Sequence, residues 1–465
     1  MVVEGWLARA AAARPAHPAL ITPAGSWSYA QLLAAADAGA QELAHAGVQA
    51  GARVAIALPG GLAFAQALHA CMLLGAVAVP VDTRLTPRER AQVSAGSAQV
   101  IAEPLPPAPP RSGVRRPRRG RTRAQRPPGA RAHALDATAV VLHTSGTSSA
   151  PRAVELTYGN FLWSALGSAA ALGLDPHERW LCALPVAHVG GLSIIVRSAI
   201  YATTAVVHER FEAERALHAL REGRVTVASL VATTLARLLD AGLDGSGALR
   251  CALTGGGPVP AELRARARTA GVPACLTYGL TEACSQVSTT PLAALASEED
   301  GPGPPLFCTR VRIGAAPGEQ AGGGEEGEIT IAGPTVAPTA AAPDGWLRSG
   351  DLGRLDERGR LHVTGRASEL IVSGGENVAP EEVEAVLESH ADVLEAAVVG
   401  RPDARWGEAV TAVVVPRPGT SPRPQELLAH CARALARHKL PKQIALTSEP
   451  LPRTASGKLL RRKLR

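Results

Sequence analysis

Between residues 27 and 101 the apolar positions switch repeatedly between two spacings. SYAQLLAAADAGAQELAHAG places them three and four apart and stops at glycine, which predicts an amphipathic helix. RVAIALP is short, continuously apolar and followed by a turn, which predicts a buried strand. FAQALHACMLLGAVAVPVD reads as a helix and then a second buried strand. Strand–helix–strand alternation builds parallel sheets covered by helices. A Pro/Arg-rich tract at 103–131 interrupts the pattern, and AVVLHTSGT resumes it. Between 180 and 290, WLCALPV, TAVVHE, VTVASLV, ALRCALTGGG and PACLTYG are strand-like, with helical segments between them. From 309 the texture changes to short alternating runs with glycine turns, GEITIAG and GRLHVTG, which predict a small antiparallel β subdomain. From about 367, IVSGGENVAPEEVEAVLESH, VLEAAVVG, AVTAVVVP and PQELLAHCARALARHKLP predict a compact α+β module. The expected fold class is therefore α/β. A large N-terminal domain, 1–365, has parallel-rich sheets flanked by helices plus the β subdomain, and a C-terminal α+β domain spans 366–465.

Composition changes this picture little. A chain of 465 residues with 46% hydrophobic and 19% charged residues is expected to fold, with a large core and two or three domains. The net charge of +7 is local: residues 111–131 hold nine arginines and no acid, and subtracting them leaves −2. With its prolines, the tract reads as a flexible, solvated insert, and no aromatics interleave its arginines as nucleic-acid binding would ask. Seven cysteines without a C-x-x-C pair argue against a disulfide framework or zinc site and fit a reducing cytoplasm. The N-terminus lacks a basic start followed by an apolar stretch, so no signal peptide is expected. The longest apolar run, GLSIIVRSAIYATTAVV, is short for a membrane span and contains Arg197. Oligomerisation is left open.

Seven stretches hold residue types suited to chemistry. His143–Thr157, HTSGTSSAPRAVELT, is a polar, glycine-bearing loop after a strand, the kind that wraps phosphate oxygens, although no Walker lysine ends it. CALPVAHVGG carries His188, ALTGGGPVP carries Gly255, Gly256 and Gly257, and TYGLTEACSQ carries Tyr278, Thr281 and Glu282. WLRSGDLG places Asp351 between glycines; TGRASELIVSGGENVAPEEVE follows, and PRTASGKLLRRKLR ends with Lys458 in a glycine-containing turn. Singly, each has an ordinary explanation: a structural histidine, a plain turn, a helix-capping carboxylate. Their joint order and spacing are much more specific.

Together these stretches resemble the adenylate-forming superfamily of acyl-CoA synthetases, luciferases and peptide-synthetase adenylation domains. The likeness covers nearly the whole chain, including GARVAIALPGGLAFAQALHACMLLGAVAVPVDTRLTPRE. Within it, TYGNFLWSALGSAAALGL, LPVAHVGGLSIIVRSAIYATTAVVHERF, TYGLTEACSQVSTT and PLFCTRVRI resemble the o-succinylbenzoate–CoA ligase family of menaquinone biosynthesis. The resemblance implies ATP, Mg²⁺ and coenzyme A as reactants or cofactors, a small carboxylic acid as substrate, and a mobile C-terminal lid. Thr144, Ser145, Gly146, Thr147 and Ser148 would hold the β- and γ-phosphates. Thr281 would bind the α-phosphate and Glu282 the Mg²⁺. Gly255, Gly256, Gly257 and Tyr278 would form the adenine slot, Asp351 would accept from the ribose hydroxyls, and Arg366 would add a cation. Lys458 would bridge the attacking carboxylate and the α-phosphate. His188 would position the acyl carboxylate, which needs no general base because it is already ionised at neutral pH. The hinge aligns to Ser368, where many relatives have Asp or Lys. SGGENVAP would line the pantetheine tunnel.

Arg197 interrupts the apolar run GLSIIVRSAIYA, and a buried guanidinium is expected to have an anionic partner. A fold-internal acid, or exposure at the helix edge, would explain it without function. The functional reading is the second, aromatic carboxylate of o-succinylbenzoate, with Ser285 and Gln286 as further donors. The phosphate loop departs from the superfamily pattern T-S-G-T-T-G-x-P-K-G: Ser149 and Ala153 replace glycines and Arg152 replaces lysine, which predicts a working loop of reduced flexibility. Three alternatives stand beside the main reading: a CoA ligase for another aryl or acyl acid, a non-catalytic nucleotide-binding homologue, and an adenylation domain serving a separate carrier protein.

Overall fold

The computed structural model describes residues 1–107, 132–144, 152–295, 301–314, 324–373, 376–403, 405–453 and 459–464, without the side chains of Ser368 and Asn377. The apolar runs become two sheets. The larger has eight strands in the order Ser285–Thr289, Ala274–Leu280, Cys251–Thr254, Val227–Leu230, Arg179–Cys182, Thr204–Val207, Pro18–Thr22 and Gly25–Ser28. Its inner strands are all parallel, and both edge strands run antiparallel. The second has five strands, Gln99–Ile101, Arg53–Ile56, Val77–Pro80, Thr138–Thr144 and Arg152–Thr157, antiparallel only at the last pair.

Helices Tyr29–His45, Leu62–Leu74, Tyr158–Leu172 and Val189–Tyr201 supply much of the core that joins the two sheets. Leu62–Leu74 is buried over most of its length, which its nearly all-apolar sequence requires. Tyr158–Leu172 begins where strand Arg152–Thr157 ends: the Thr157 hydroxyl accepts from the Asn160 amide at 3.1 Å, and the Asn160 side chain returns a bond to the Thr157 amide at 2.9 Å. The Asn160 Nδ2 also donates to Pro334 O at 2.9 Å and Val336 O at 3.0 Å, which fixes this helix against the β subdomain.

That subdomain is a four-stranded antiparallel sheet of Arg310–Ile313, Gly327–Ala332, Leu347–Leu355 and Leu361–Arg366. The C-terminal sheet orders Glu376–Val378, Ile371–Ser373, Gly407–Pro416 and Val393–Asp403, with Gln443–Leu446 added parallel to Gly407–Pro416. Helices Pro380–Glu388 and Pro424–Ala434 pack on it around their own core. Arg417 reaches back to Glu262 of the N-terminal part at 2.7 Å.

The expected α/β class holds. One boundary moves. The Pro/Arg tract was expected to be a solvated insert from residue 103, yet Leu105 packs against the main core and Pro106 O accepts from the buried Gln66 side chain at 2.8 Å. Both residues cover helices Tyr29–His45 and Leu62–Leu74, so the tract begins inside the fold; 108–131 lie outside the described residues.

Candidate active site

Of the phosphate loop, Ser145, Gly146, Thr147, Ser148 and Ser149 lie outside the described residues. Its two ends are well defined. Thr144 and Arg152 face each other in antiparallel register, as do His143 and Ala153. Ala153 therefore sits in an extended strand and is not among the residues with positive φ, so alanine there carries no backbone strain.

Three of the expected nucleotide residues come together. Tyr278 lies in the last half of strand Ala274–Leu280, and Asp351 and Arg366 face each other across Leu347–Leu355 and Leu361–Arg366. The Tyr278 hydroxyl donates to Asp351 Oδ2 at 2.8 Å, and Arg366 Nε lies 2.7 Å from Asp351 Oδ1. Burial, then the adjacent Asp351 charge, push the Tyr278 phenol well above its ordinary pKa, so it remains a donor. Each glycine beside it has its own geometry. A Cβ at Gly255 would lie 2.6 Å from Thr277 O, and Gly256 has a φ of +80°. Both need glycine, whereas Gly257 faces open space. The close approach at Gly255 leaves flat main chain beside the phenol, a surface suited to a planar base.

Thr281 and Glu282 stand on a one-turn 3-10 helix, followed by two non-glycine residues in the left-handed region, Cys284 at φ 51° and Ser285 at φ 95°. This corner is forced by close packing: a Cβ at Gly279 would fall 1.8 Å from Ser285 O. Strain held by the surroundings in this way is common at functional sites. The Glu282 main-chain oxygen accepts from Ala337 N at 2.8 Å, and its half-buried carboxylate pairs with no described cation. Among the described residues no three His, Cys, Asp or Glu side chains could hold a metal together. A single free carboxylate fits Mg²⁺, which takes its remaining ligands from phosphate and water.

His188 caps helix Val189–Tyr201, and its imidazole Nε2 lies 3.7 Å from Asp82 Oδ2. Burial lowers the His188 pKa, Asp82 opposes this and Arg84 adds to it, so the ring is neutral at neutral pH. Asp82 is itself bonded by Arg84 Nε at 2.8 Å. Sequence reasoning missed both partners. VPVDTRL is visible as a strand end, but only the docking of the two sheets brings it to His188.

Arg197, nine residues further along the same helix, is 3% exposed. Its Nη2 donates to Ser164 Oγ at 2.9 Å, and Ser164 donates in turn to Cys284 O at 2.7 Å. The guanidinium lies 5.6 Å from the Trp180 ring centre, and its Nε has no hydrogen-bond partner. Among the described residues no carboxylate pairs with it. Neither an acid among the described residues nor helix-edge exposure accounts for this arginine. The relay through Ser164 places it beside the strained Cys284–Ser285 corner.

Gln286 is less suited to its expected role. Its Nε2 is committed to Thr289 Oγ1 at 2.8 Å, and the atom left buried and unpaired is the acceptor Oε1, which a carboxylate would not approach. Ser285 is half-buried at the corner itself. Lys458 lies outside the described residues, and of Ser368 only the backbone is described.

Residues 7–339 match the family described as AMP-binding enzyme, and 382–458 match the AMP-binding enzyme C-terminal domain. The chain is 38% identical to the 2-succinylbenzoate–CoA ligase of Bacillus licheniformis, with 99% of this chain and 98% of that protein covered. It is 37% identical to the corresponding ligase of Bacillus subtilis, with 99% and 97% covered. Among solved structures it resembles the o-succinylbenzoate CoA synthetase of Bacillus subtilis in complex with the acyl-adenylate intermediate, at a TM-score of 0.87 and 34% identity over 100% of this chain and 98% of that one. The ATP and magnesium complex of that synthetase gives a TM-score of 0.87 at 35% identity, both chains fully covered (100% each). A double mutant bound with a product analogue gives 0.70 at 35% identity over 100% and 98%.

Proposed function

Since the chain belongs to the AMP-binding enzyme family, we propose that it is an ATP-dependent, AMP-forming acid–CoA ligase whose acid is o-succinylbenzoate. A carboxylate is a poor acyl donor because oxide would have to leave. One carboxylate oxygen of the aliphatic arm attacks the α-phosphorus of ATP, the bond to the bridging oxygen breaks, and pyrophosphate departs. The thiolate sulfur of coenzyme A then attacks the acyl carbon of the mixed anhydride, and AMP leaves with the C–O bonding pair. Negative charge gathers in both steps, so the site must supply cations and fixed donors.

Tyr278 and the main chain at Gly255–Gly257 flank the adenine. Asp351, held by Tyr278 and Arg366, turns its remaining lone pairs to the ribose hydroxyls. Thr281 bonds the α-phosphate. Glu282 holds Mg²⁺, which when bound supplies charge neutralisation at the phosphates. The 144–148 segment binds the β- and γ-phosphates, and Lys458 bridges carboxylate and α-phosphate. His188, neutral and steadied by Asp82, positions the carboxylate without adding a proton to it.

The observation that carries the acid assignment is Arg197, a buried cation with a free Nε and no described acid beside it. A ring carboxylate at this position supplies the missing charge, with Ser285 as a neighbouring hydroxyl. A fatty acid or a monobasic aryl acid leaves it unpaired. The domains divide at 366, with the lid turning about Ser368. The better overall match to the ATP and adenylate complexes than to the product-analogue complex supports an adenylation arrangement. No helix among the described residues is long and apolar enough to cross a membrane. We assign the enzyme to the cytoplasm, acting on small molecules without nucleic acid; its cysteines are free, six of the seven buried.

The test is CoA-dependent AMP release with o-succinylbenzoate, benzoate, 4-chlorobenzoate and octanoate. Selective turnover of the diacid is expected. Faster turnover of a monoacid would retain the ligase chemistry and remove the acid assignment.

A further inference from the structure

Helix Pro380–Glu388 presses its first turn against the end of strand Leu361–Arg366. A Cβ at Gly365 would lie 2.8 Å from Glu381 Oε2 and 3.6 Å from the Ala379 side chain, so glycine leaves the room that the carboxylate occupies. Gly365 faces Leu352 within the antiparallel β subdomain. Glu381 belongs to the C-terminal sheet-and-helix unit. The contact therefore joins the two domains divided at 366, with one partner before the turning point proposed at Ser368 and the other after it.

The two oxygens of Glu381 are treated unequally. Oε1 lies 3.1 Å from Arg461 Nη2, whereas Oε2 is buried without a hydrogen-bond partner. Arg461 is shared: it also holds Glu384 through Nη2 at 2.7 Å and Nε at 3.0 Å, and Glu369 through Nη1. One guanidinium thus meets three carboxylates, from the same helix and from the turn Ala367–Glu369. Glu384 has a further donor, Val398 N at 2.7 Å. On the strand side Gly365 brings no charge, and Arg366 is bound to Asp351 at 2.7 Å. Strand Val393–Asp403 and helix Pro424–Ala434 meet the helix through an apolar core that includes Val383, Leu387, Val398 and Leu427. Lys439 is taken by Glu382 at 2.7 Å.

Burial outweighs Arg461, and with the charges of Glu384 and Glu369 it raises the Glu381 pKa from 4.5 to about 7. Released into water, the same carboxylate returns toward 4.5. It binds a proton more tightly while helix and strand touch than after they part, so the contact is full below 4.5 and is lost as pH rises through 7.

We propose that Glu381 is a proton-operated latch between the domains: protonated, it lets helix Pro380–Glu388 seat on Gly365, and ionised, it disfavours that contact and releases the lid. The inference rests on the reading of a lid turning about Ser368 given above. Between pH 6 and pH 8 the ratio of seated to released lid falls about tenfold.

The experiment is single-molecule energy transfer between dyes on Arg268→Cys and Ser421→Cys, both exposed positions, in a Cys308→Ser background with the other cysteines buried. Arg417 and Glu262 hold these two surfaces together in the seated arrangement, so release lowers the transfer. The labelled parent should show the tenfold change. Glu381→Gln, which cannot ionise, should stay seated, with a ratio constant within about twofold. Glu388→Gln removes a carboxylate that titrates in the same range but is bonded to Ala396 N of its own domain, and it should keep the tenfold change. Gly365→Ala should release the lid at both pH values. Thermal melting of each variant shows that it is folded. A parent ratio that ignores pH, or a Glu381→Gln lid that still follows it, would overturn the latch. A single transfer value with ATP, and with coenzyme A plus AMP, at both pH values would instead overturn the reading of a mobile lid.

Discussion

Two arginines of this protein are removed from water, and their surroundings are opposite. Arg197 meets a serine hydroxyl, a tryptophan face and no described carboxylate. Arg461 meets three carboxylates. A buried charge without a partner is costly, and a fold has no reason to retain one unless something charged arrives to meet it. An arginine saturated by the fold has little left to offer a ligand. The first pattern supports the recognition role proposed for Arg197, and the second is that of a structural joint within the C-terminal domain.

Stability separates the two most strongly. Arg461→Met leaves three carboxylates facing one another, and breaking a buried pair of this kind costs about 3–5 kcal/mol. Its melting temperature is expected to fall at pH 8 and to recover toward pH 6 as Glu381, which burial raises to about 7, takes up a proton. An unchanged melt at pH 8 would mean that the cluster contributes nothing to the fold.

The two domains should also answer protons in opposite senses. In the N-terminal core, burial pushes His69 and His133 down to about 4 from an ordinary 6.5. The unfolded chain binds their protons first, so stability is lost as pH falls from 6.5 toward 4. In the C-terminal domain burial pushes Glu381 and Glu388 up to about 7 from an ordinary 4.5. Here the folded state holds the protons, so stability is full below 4.5 and is lost as pH rises through 7. Each group shifts its domain by a few kcal/mol at most, on the order of 1.4 per pKa unit. Calorimetry at pH 5 and 7.5 checks the signs: the transition assigned to the C-terminal domain should rise at pH 5 and the other should fall. Parallel movement would refute the contrast.

Within the nucleotide site, Asp351→Asn removes the charge between Tyr278 and Arg366, and KM for ATP should rise about tenfold, a loss near 1.4 kcal/mol. Equilibrium binding of ATP checks this without the acid. The smallest effect is expected for Ser164→Ala, which frees Arg197 Nη2 and one turn of the relay to Cys284. KM for o-succinylbenzoate should rise about three- to tenfold with kcat nearly kept, and no change would detach Ser164 from acid recognition.

The sequence displays these two arginines very unequally. Arg197 stands out because charge is rare in an apolar helix, and the structure supplies what a sequence cannot, the absence of a nearby described acid. Arg461 lies in the basic run RRKLR, where nothing in the sequence singles it out, and its nearest carboxylate on the lid helix is 77 residues away in the chain. Parallel strands and the β subdomain were legible because alternating apolar runs record burial directly. The Tyr278–Asp351–Arg366 triad was legible as three motifs, and register then joined two of them. Asp82 was not, because it comes from a different sheet than His188. The strained corner at Cys284 and Ser285 was not either, because nothing in those side chains announces a positive φ. The demand comes from the close approach at Gly279.

The most direct measurement of the central claim compares o-succinylbenzoate with 4-oxo-4-phenylbutanoate, which lacks only the ring carboxylate, in wild type and Arg197→Met. Wild type should prefer the diacid by about a hundredfold in kcat/KM, near 3 kcal/mol, and the variant should treat the two acids alike while melting no lower than wild type. A variant that loses the same factor on both acids, or keeps the wild-type preference, would contradict the account.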